Sequence, residues 1–127
     1  MNPATGDGLR VLLSCEPGTL EATVAFYRET LGFELEHRQD ADDGALVGLR
    51  LDGSRVLLAT PGAFDLAPKT PSVGTTVILM HPDVAAHRRA LGARYQGWMG
   101  PLSTMGGGVF YALADPSGNP VWIMQID

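Results

Sequence analysis

Short hydrophobic runs separated by turn residues predict a strand, a helix and three further strands in the first half of the chain. Residues 9–15 form an apolar run that ends at Glu16-Pro17-Gly18, which favours a buried strand. A helix is predicted next, with Thr19 as its N-cap and Gly32 as the left-handed residue after its last turn. The three strands are predicted over residues 33–38, 45–51 and 55–60.

The second half repeats this order. Residues 74–80 are β-branched and predict a strand, Asp83 is predicted to cap a helix, and Gly92 ends that helix as Gly32 ends the first. Residues 93–98 are a candidate strand, residues 100–108 a glycine-rich loop, and residues 109–114 and 121–126 two final strands. The chain is therefore expected to be one α+β domain, 1–127, made of two βαβββ modules (8–60 and 74–127) joined by a linker, 61–73.

Composition excludes several classes of function. Nine Lys and Arg against fourteen Asp and Glu, without a basic cluster, give no sign of nucleic-acid binding. No apolar stretch approaches the length of a membrane span, and residues 1–8 do not resemble a signal peptide, so a cytoplasmic protein is expected. The single cysteine, Cys15, lies in an apolar run and is predicted to be a buried core residue.

Two motifs stand out in the sequence. Residues 26–34 read FYRETLGFE, at the end of the first predicted helix, and residues 115–119 read DPSGN, before the last predicted strand. They resemble the FYxxxLGFE signature and the DPxGN turn of the vicinal oxygen chelate superfamily, which includes glyoxalases, extradiol dioxygenases and bleomycin-type resistance proteins. The resemblance implies two modules with curved mixed sheets around a cavity, and two chains paired as a homodimer.

The resemblance also implies where metal ligands would stand, and the required side chains are missing there. The best-anchored position, after the DPxGN turn, holds Trp122, and the position in the strand that opens the second half holds Thr76. The corresponding places in the first half, near residues 10–12 and 57–59, contain no His, Glu, Gln or Asp. Neither a metal nor another cofactor is therefore predicted, and no catalytic residue is assigned.

A cavity without a metal suits a flat, partly apolar organic ligand. Side chains alternate along a strand, so Trp122 and Met124 are expected on the same face of the last strand. A Trp and a Met on one face are equally consistent with core packing. The prediction is a small-molecule binder, with antibiotics among the candidate ligands, that resembles the bleomycin-type proteins and is gated by the 100–108 loop. The predicted ligand-binding residues are Trp122, Met124, Trp98, Met105, Phe110, Tyr111, Phe64, Leu58 and Thr76.

An enzyme of the same superfamily is the alternative, of the lyase, isomerase or dioxygenase type. It would use a shifted metal site or metal-free acid–base chemistry, with Tyr27, His81 and Arg10 as the first candidate groups. The three histidines, His37, His81 and His87, are otherwise interpreted as surface, turn or groove residues, since their spacing does not place two metal ligands on one face. A structural or protein-interaction role is the third hypothesis.

Overall fold

The computed structural model describes residues 10–63, 76–105 and 107–126. The chain forms two compact units, Met1–Val73 and Gly74–Asp127. Among the described residues, each unit contains one four-stranded mixed sheet and helical structure between its first two strands. The predicted α+β class with two βαβββ modules is confirmed.

The first unit follows the predicted order. Its sheet has the strand order β1-β4-β3-β2, with β1 parallel to β4 and the other neighbours antiparallel. Between β1 and β2 the chain forms a continuous helical segment of three kinds of turn. The elements are β1 (Arg10–Ser14), a 3₁₀ turn (Pro17–Thr19), α1 (Leu20–Ala25), a π-helical turn (Phe26–Thr30), β2 (Glu34–Ala41), β3 (Gly44–Leu51) and β4 (Ser54–Ala59).

Thr19 does not cap α1 in the predicted way. Its side chain makes no capping bond to the helix; its hydroxyl donates instead to the carbonyl of Glu16 at 3.2 Å. The preceding 3₁₀ turn explains this, because the Leu20 N–H already finds an acceptor in the carbonyl of Pro17. The first helical donors are thus partly satisfied before α1 begins, and a side-chain cap is not required.

The end of the first helical segment matches the prediction for Gly32. Gly32 has φ +87°, a conformation that favours glycine, and it allows Phe33 to fold back onto the last turn. The Phe33 N–H donates to the carbonyl of Tyr27 at 2.8 Å, and the two rings meet edge to face with centroids 5.5 Å apart. The end of the helical segment therefore positions both rings on the helix-facing side of the sheet.

The core of the first unit lies between this helical segment and one face of its sheet. Strand residues alternate, so one face packs against the helix and buries its aliphatic side chains. Cys15 is also buried, which confirms the prediction of a core position. The helix contributes Leu20, Val24, Phe26 and Tyr27, and the sheet contributes Leu13, Val47, Leu49, Val56 and Leu58.

The second unit has the same topology, with strand order β5-β8-β7-β6 and β5 parallel to β8. As predicted, Asp83 caps its helix: Oδ1 accepts the N–H of Ala86 at 3.0 Å. Val84 and Leu91 of the helix are buried, as are Val121 and Ile123 of the sheet. The elements are β5 (Val77–Met80), α2 (Val84–Gly92), β6 (Ser103–Met105), β7 (Gly108–Ala114) and β8 (Pro120–Ile126).

Three predictions for the segment after α2 were wrong. Gly92 is the last helical residue but does not take a left-handed conformation, and Ala93 follows it at φ −72°. Residues 93–98 are not a strand, because the N–H groups of Arg94 and Tyr95 bond back to the Leu91 carbonyl. The strand is instead β6, inside the predicted loop, where it pairs with β7. A glycine-rich composition indicated a free loop, whereas cross-strand pairing orders its centre.

The turn before β8 forms as its residues predicted. Asp115 is buried and accepts three bonds: Oδ1 from the N–H groups of Ser117 and Asn119, and Oδ2 from the Asn119 amide at 2.9 Å. Gly118 has φ +87°, which closes the turn. The turn thus fixes the start of β8 and the register of Trp122. No helix among the described residues is long and apolar enough to cross a bilayer.

Candidate ligand-binding face

The face of the second sheet that points away from α2 is the candidate site, and strand alternation builds it. Val121 and Ile123 of β8 are buried on the helix-facing side, so Trp122 and Met124 lie on the opposite side. Strand pairing then determines which side chains of neighbouring strands accompany them. Ile78 of β5 and Ala112 of β7 pair with Trp122, while Met80 and Phe110 pair with Met124.

Two aromatic rings on this face stack. The rings of Phe110 and Trp122 have centroids 4.8 Å apart and planes inclined by 23°. The two residues are diagonal neighbours across β7 and β8, since Phe110 is paired with Met124. Both side chains are half-buried, so the stack presents ring surface that is already held in one orientation. A preorganised ring loses little conformational freedom when a flat molecule packs on it.

Large apolar side chains surround the stack and are open to solvent. Ile78 is 49% exposed and Met80 57% exposed, although both lie in a strand whose Val77 is buried. Trp98 is 62% exposed and lies over Gly100, whose N–H donates to the carbonyl of Ala112 at 2.7 Å. Contiguous exposed apolar side chains on a well-ordered sheet mark an interaction or ligand surface.

The described residues do not fit a divalent metal at the positions that the family resemblance implies. In the second sheet, neither Trp122 nor its strand neighbour Ile78 has a lone pair for a metal, and Thr76, the second implied position, offers only a hydroxyl group. In the first sheet, the matching pair on β1 and β4 is Leu12 and Leu57. No group of three or more His, Cys, Asp or Glu that could hold a metal ion exists within the described residues.

The equivalent face of the first sheet has a different chemistry. Arg55, whose side chain is only 9% exposed, forms an ion pair with Glu36, with 3.0 Å between Nε and Oε2. Glu36 stands at an irregularity in β2 where the pairing with β3 shifts between Leu35 and His37. Beyond this pair, Leu12 and Leu46 pack against the buried Ala59 and Ala63. This face is therefore charged at one end and covered at the other.

The structure places the sequence-predicted site residues in three groups. The candidate face of the second sheet, called the aromatic face from here on, contains Trp122, Met124, Phe110 and Trp98. Thr76 is exposed directly before β5. Leu58 and Tyr111 are fully buried on the helix-facing sides of their sheets, so neither can line this face, and both predictions are corrected. Phe64 and the side chain of Met105 lie outside the described residues.

Sequence reasoning missed Ile78 and Met80. The signal was present as period-2 alternation in residues 77–80, where Val77 marks the buried side. Of the candidate acid–base groups, Tyr27 is fully buried within the first core and cannot reach a substrate. Arg10 has only its backbone position within the described residues.

His81 instead belongs to a ring cluster on the helix side of the second sheet. Its ring meets that of His87 with centroids 4.8 Å apart, and His87 Nδ1 lies 2.6 Å from the Tyr111 hydroxyl. Burial raises the pKa of Tyr111 to about 12, against a smaller opposing effect of the Arg88 charge. Burial, followed by the charges of His81 and Arg94, lowers the pKa of His87. The Tyr111 phenol and the His87 imidazole are therefore both neutral at physiological pH.

The sequence model of the Glyoxalase/Bleomycin resistance protein/Dioxygenase superfamily matches residues 17–123. The chain belongs to this superfamily. The match includes both motifs and most of both sheets. A comparison with curated protein sequences gives no significant match.

Solved structures of the superfamily share the fold at low sequence identity. The antibiotic-binding protein TnmS3 from Streptomyces sp. CB03234 is 24% identical, with a TM-score of 0.71 over 94% of this chain and 97% of that one. The bleomycin-binding protein of Streptomyces verticillus, solved with copper(II)-bleomycin, is 22% identical, with a TM-score of 0.68 over 94% and 95%. Lactoylglutathione lyase from Agrobacterium tumefaciens is 21% identical, with a TM-score of 0.68 over 98% and 96%.

Proposed function

We propose that this protein binds a planar, partly apolar organic molecule without the help of a metal, on the aromatic face of its second sheet. The observation that carries the proposal is the Phe110–Trp122 stack at the position where the family resemblance implies a metal ligand. An indole replaces an electron-pair donor with a stacking surface. The exposed Ile78 and Met80 extend that surface with adaptable apolar contacts.

The charge distribution supports a neutral or weakly charged ligand. Among the described side chains of β5, β7 and β8, those that share the face of Trp122 carry no ionisable group: they belong to Ile78, Met80, Gly108, Phe110, Ala112, Ala114, Pro120, Trp122 and Met124. None of these described side chains would offset the desolvation of a strongly charged molecule. Dispersion and stacking are therefore the main attractive terms available.

Two relatives with this fold are described as an antibiotic-binding and a bleomycin-binding protein. We extend the class of ligand, an antibiotic natural product with a flat ring system, to this chain, and we propose that it sequesters such a molecule. We further propose that two chains pair as a homodimer so that the partner helps to enclose the ligand, since an open sheet face buries only one side of a flat molecule.

A fluorescence titration tests the binding proposal. The chain has two tryptophans, so Trp98→Phe leaves Trp122 as the only indole reporter. A panel of neutral aromatic natural products is expected to quench or shift its emission in a saturable way, and size-exclusion chromatography with light scattering measures the dimer. A panel with no saturable response in either the wild-type chain or the variant contradicts the proposal.

Elemental analysis separates binding from the alternative of an enzyme. The protein is incubated with excess Mn, Fe, Ni and Zn, desalted and analysed. A value near zero metal per chain is expected, because the implied positions hold Trp122, Thr76, Leu12 and Leu57. One metal per chain, together with turnover of a glyoxalase or dioxygenase substrate, would make the enzyme the better interpretation.

A further inference from the structure

A small cavity lies beside α2, in the second unit. It has a volume of about 240 Å³ and combines nitrogen-bearing side chains with a small apolar wall. Tyr111, which contacts His87, is buried on the helix-facing side of β7, whereas Trp122 occupies the other side of the sheet. The cavity is thus separate from the aromatic face. Its lining residues are His81, Ala86, His87, Ala90, Leu91 and Arg94.

The hydrogen bonding of His81 determines what this ring can offer to a ligand. Its Nδ1 accepts the backbone N–H of Asp83 at 3.0 Å, so Nδ1 carries the lone pair and Nε2 carries the proton. A protonated Nε2 can donate to an oxygen but cannot bind a metal ion. His81 therefore acts as a hydrogen-bond donor to the cavity.

The same argument applies to His87. Its Nδ1 lies 2.6 Å from the hydroxyl of Tyr111, which is fully buried and has this ring nitrogen as its hydrogen-bond partner among the described residues. The hydroxyl is therefore assigned as the donor and Nδ1 as the acceptor, because the opposite direction would leave a buried O–H without an acceptor. The neutral His87 ring then has its own proton on Nε2. Two rings in edge-to-face contact at 4.8 Å thus both present an N–H donor.

The charges around the cavity and its volume limit which ligands it can bind. Because the Nδ1 atoms of His81 and His87 are both assigned as hydrogen-bond acceptors, Arg94 is the lining residue that supplies a formal positive charge, which suits a singly charged anion better than a phosphate of charge about −2. The nearby Asp83 carboxylate, which caps α2, further disfavours a doubly charged anion. A volume of about 240 Å³ is below the usual range for drug-sized molecules.

We propose that this cavity binds the carboxylate group of a small organic acid, with His81, His87 and Arg94 as donors and Ala86, Ala90 and Leu91 against a short alkyl chain. The guanidinium supplies the charge-assisted bond, and the two Nε2–H groups orient the carboxylate. This proposal is independent of the aromatic ligand on the opposite side of the sheet.

Long-range ¹H–¹⁵N correlation spectra of the histidine rings test both steps, with acetate, propionate and inorganic phosphate as probes. Before addition, His81 and His87 are expected to show the Nε2–H tautomer. Propionate is expected to shift both Nε2 signals saturably and to bind about fourfold more tightly than acetate, because it buries one more methylene. His37, on β2 of the first unit, is the internal control and should not respond.

Variants assign the donors. Arg94→Gln is expected to weaken propionate binding about tenfold through loss of the charge-assisted bond, while Arg89→Gln, an exposed cation on α2, should change it by less than about twofold. His81→Asn keeps a side-chain oxygen for the Asp83 N–H but removes the Nε2 donor, and is expected to cost about fivefold.

Each of four results would overturn the proposal. An Nδ1–H tautomer on His81 or His87 would contradict the assignment of donors. The absence of saturable propionate shifts in the wild-type chain, or equal losses in the Arg94 and Arg89 variants, would show that no carboxylate site exists there. Tighter binding of phosphate than of propionate would show that the choice of ligand class is wrong.

Discussion

The two units share one strand order and one kind of helix-facing core, but the opposite faces of their sheets differ. In the first unit that face carries the Arg55–Glu36 ion pair, and its Leu12 and Leu46 are packed beneath Ala59 and Ala63. In the second unit the described residues of the corresponding face are uncharged and include the Phe110–Trp122 stack, and Ile78 and Met80 beside it are open to solvent. One architecture thus presents two surfaces with different chemistry.

This difference shows which part of a βαβββ unit is fixed by folding. The helix-facing side must bury aliphatic side chains against a helix, so both units place Val and Leu there. The side chains on the other side do not have to pack against this helix, so their chemistry can differ from one unit to the other. The second unit accordingly retains exposed Ile78 and Met80, which a purely structural sheet would have little reason to keep in water.

The largest expected effect comes from shortening a buried side chain on the helix-facing side of β4, compared with its neighbour on the opposite side. Leu58→Ala is expected to lower the free energy of unfolding by about 2–5 kcal/mol, because Leu58 is fully buried against the helix. Leu57→Ala, next to it on the opposite face, should cost less than half as much. Urea denaturation measures both. Equal losses would show that the two faces are equally packed and would contradict the comparison.

The ion pair of the first unit gives the next effect. Glu36→Gln is expected to destabilise the chain by about 1–2 kcal/mol, because the mostly buried Arg55 loses its charged partner. Glu34→Gln is the matched control: Glu34 is an exposed residue of the same strand that pairs with Arg50 at 3.1 Å, and its loss should cost less than about 0.5 kcal/mol. Similar values for the two variants would show that Arg55 does not depend on Glu36.

The aromatic face of the second unit gives an effect on binding rather than on stability. Trp122→Ala is expected to weaken the binding of an aromatic ligand by at least about 1 kcal/mol, because stacking and burial are lost. Trp122→Phe keeps a ring and should keep most of the affinity. Isothermal titration with a ligand from the fluorescence panel measures the change. Unchanged affinity in the alanine variant would mean that Trp122 is only a packing residue.

The smallest effect is a pH dependence confined to the second unit. The folded-state pKa of His87 is lowered, mainly by burial, so the unfolded chain binds a proton more readily. Stability is therefore complete above the unfolded pKa of about 6.5 and falls as the pH drops below it. The ionisable groups around this ring are His81, Asp83, Arg88, Arg94 and Tyr111.

His87→Gln is expected to reduce the decline in unfolding free energy between pH 7.5 and pH 5, since Gln can still accept from Tyr111 but does not titrate. His37→Gln, at an exposed position of β2, should leave the decline unchanged. Urea denaturation at a series of pH values makes the comparison. A steeper decline in the His87 variant would contradict the sign of the pKa shift.

The elements that sequence predicted well depend on contacts within a few residues. The Asp83 cap, the left-handed Gly32 and the Asp115–Asn119 turn are each completed by backbone groups nearby in the chain. The wrong prediction of a free loop over residues 100–108 has a more distant cause. β6 is a strand because β7 pairs with it, and no local pattern in a glycine-rich segment carries that information.

The sequence by itself determined the two-fold repetition of a βαβββ unit, the family, and the absence of donor side chains at the implied metal positions, because each follows from residue type and spacing. Only the tertiary structure decided which face each residue occupies. A one-residue change in strand register moves a side chain to the other side of the sheet. That is why Leu58 and Tyr111, predicted as ligand contacts, lie in the helix-facing cores, while Ile78 and Met80 lie beside Trp122.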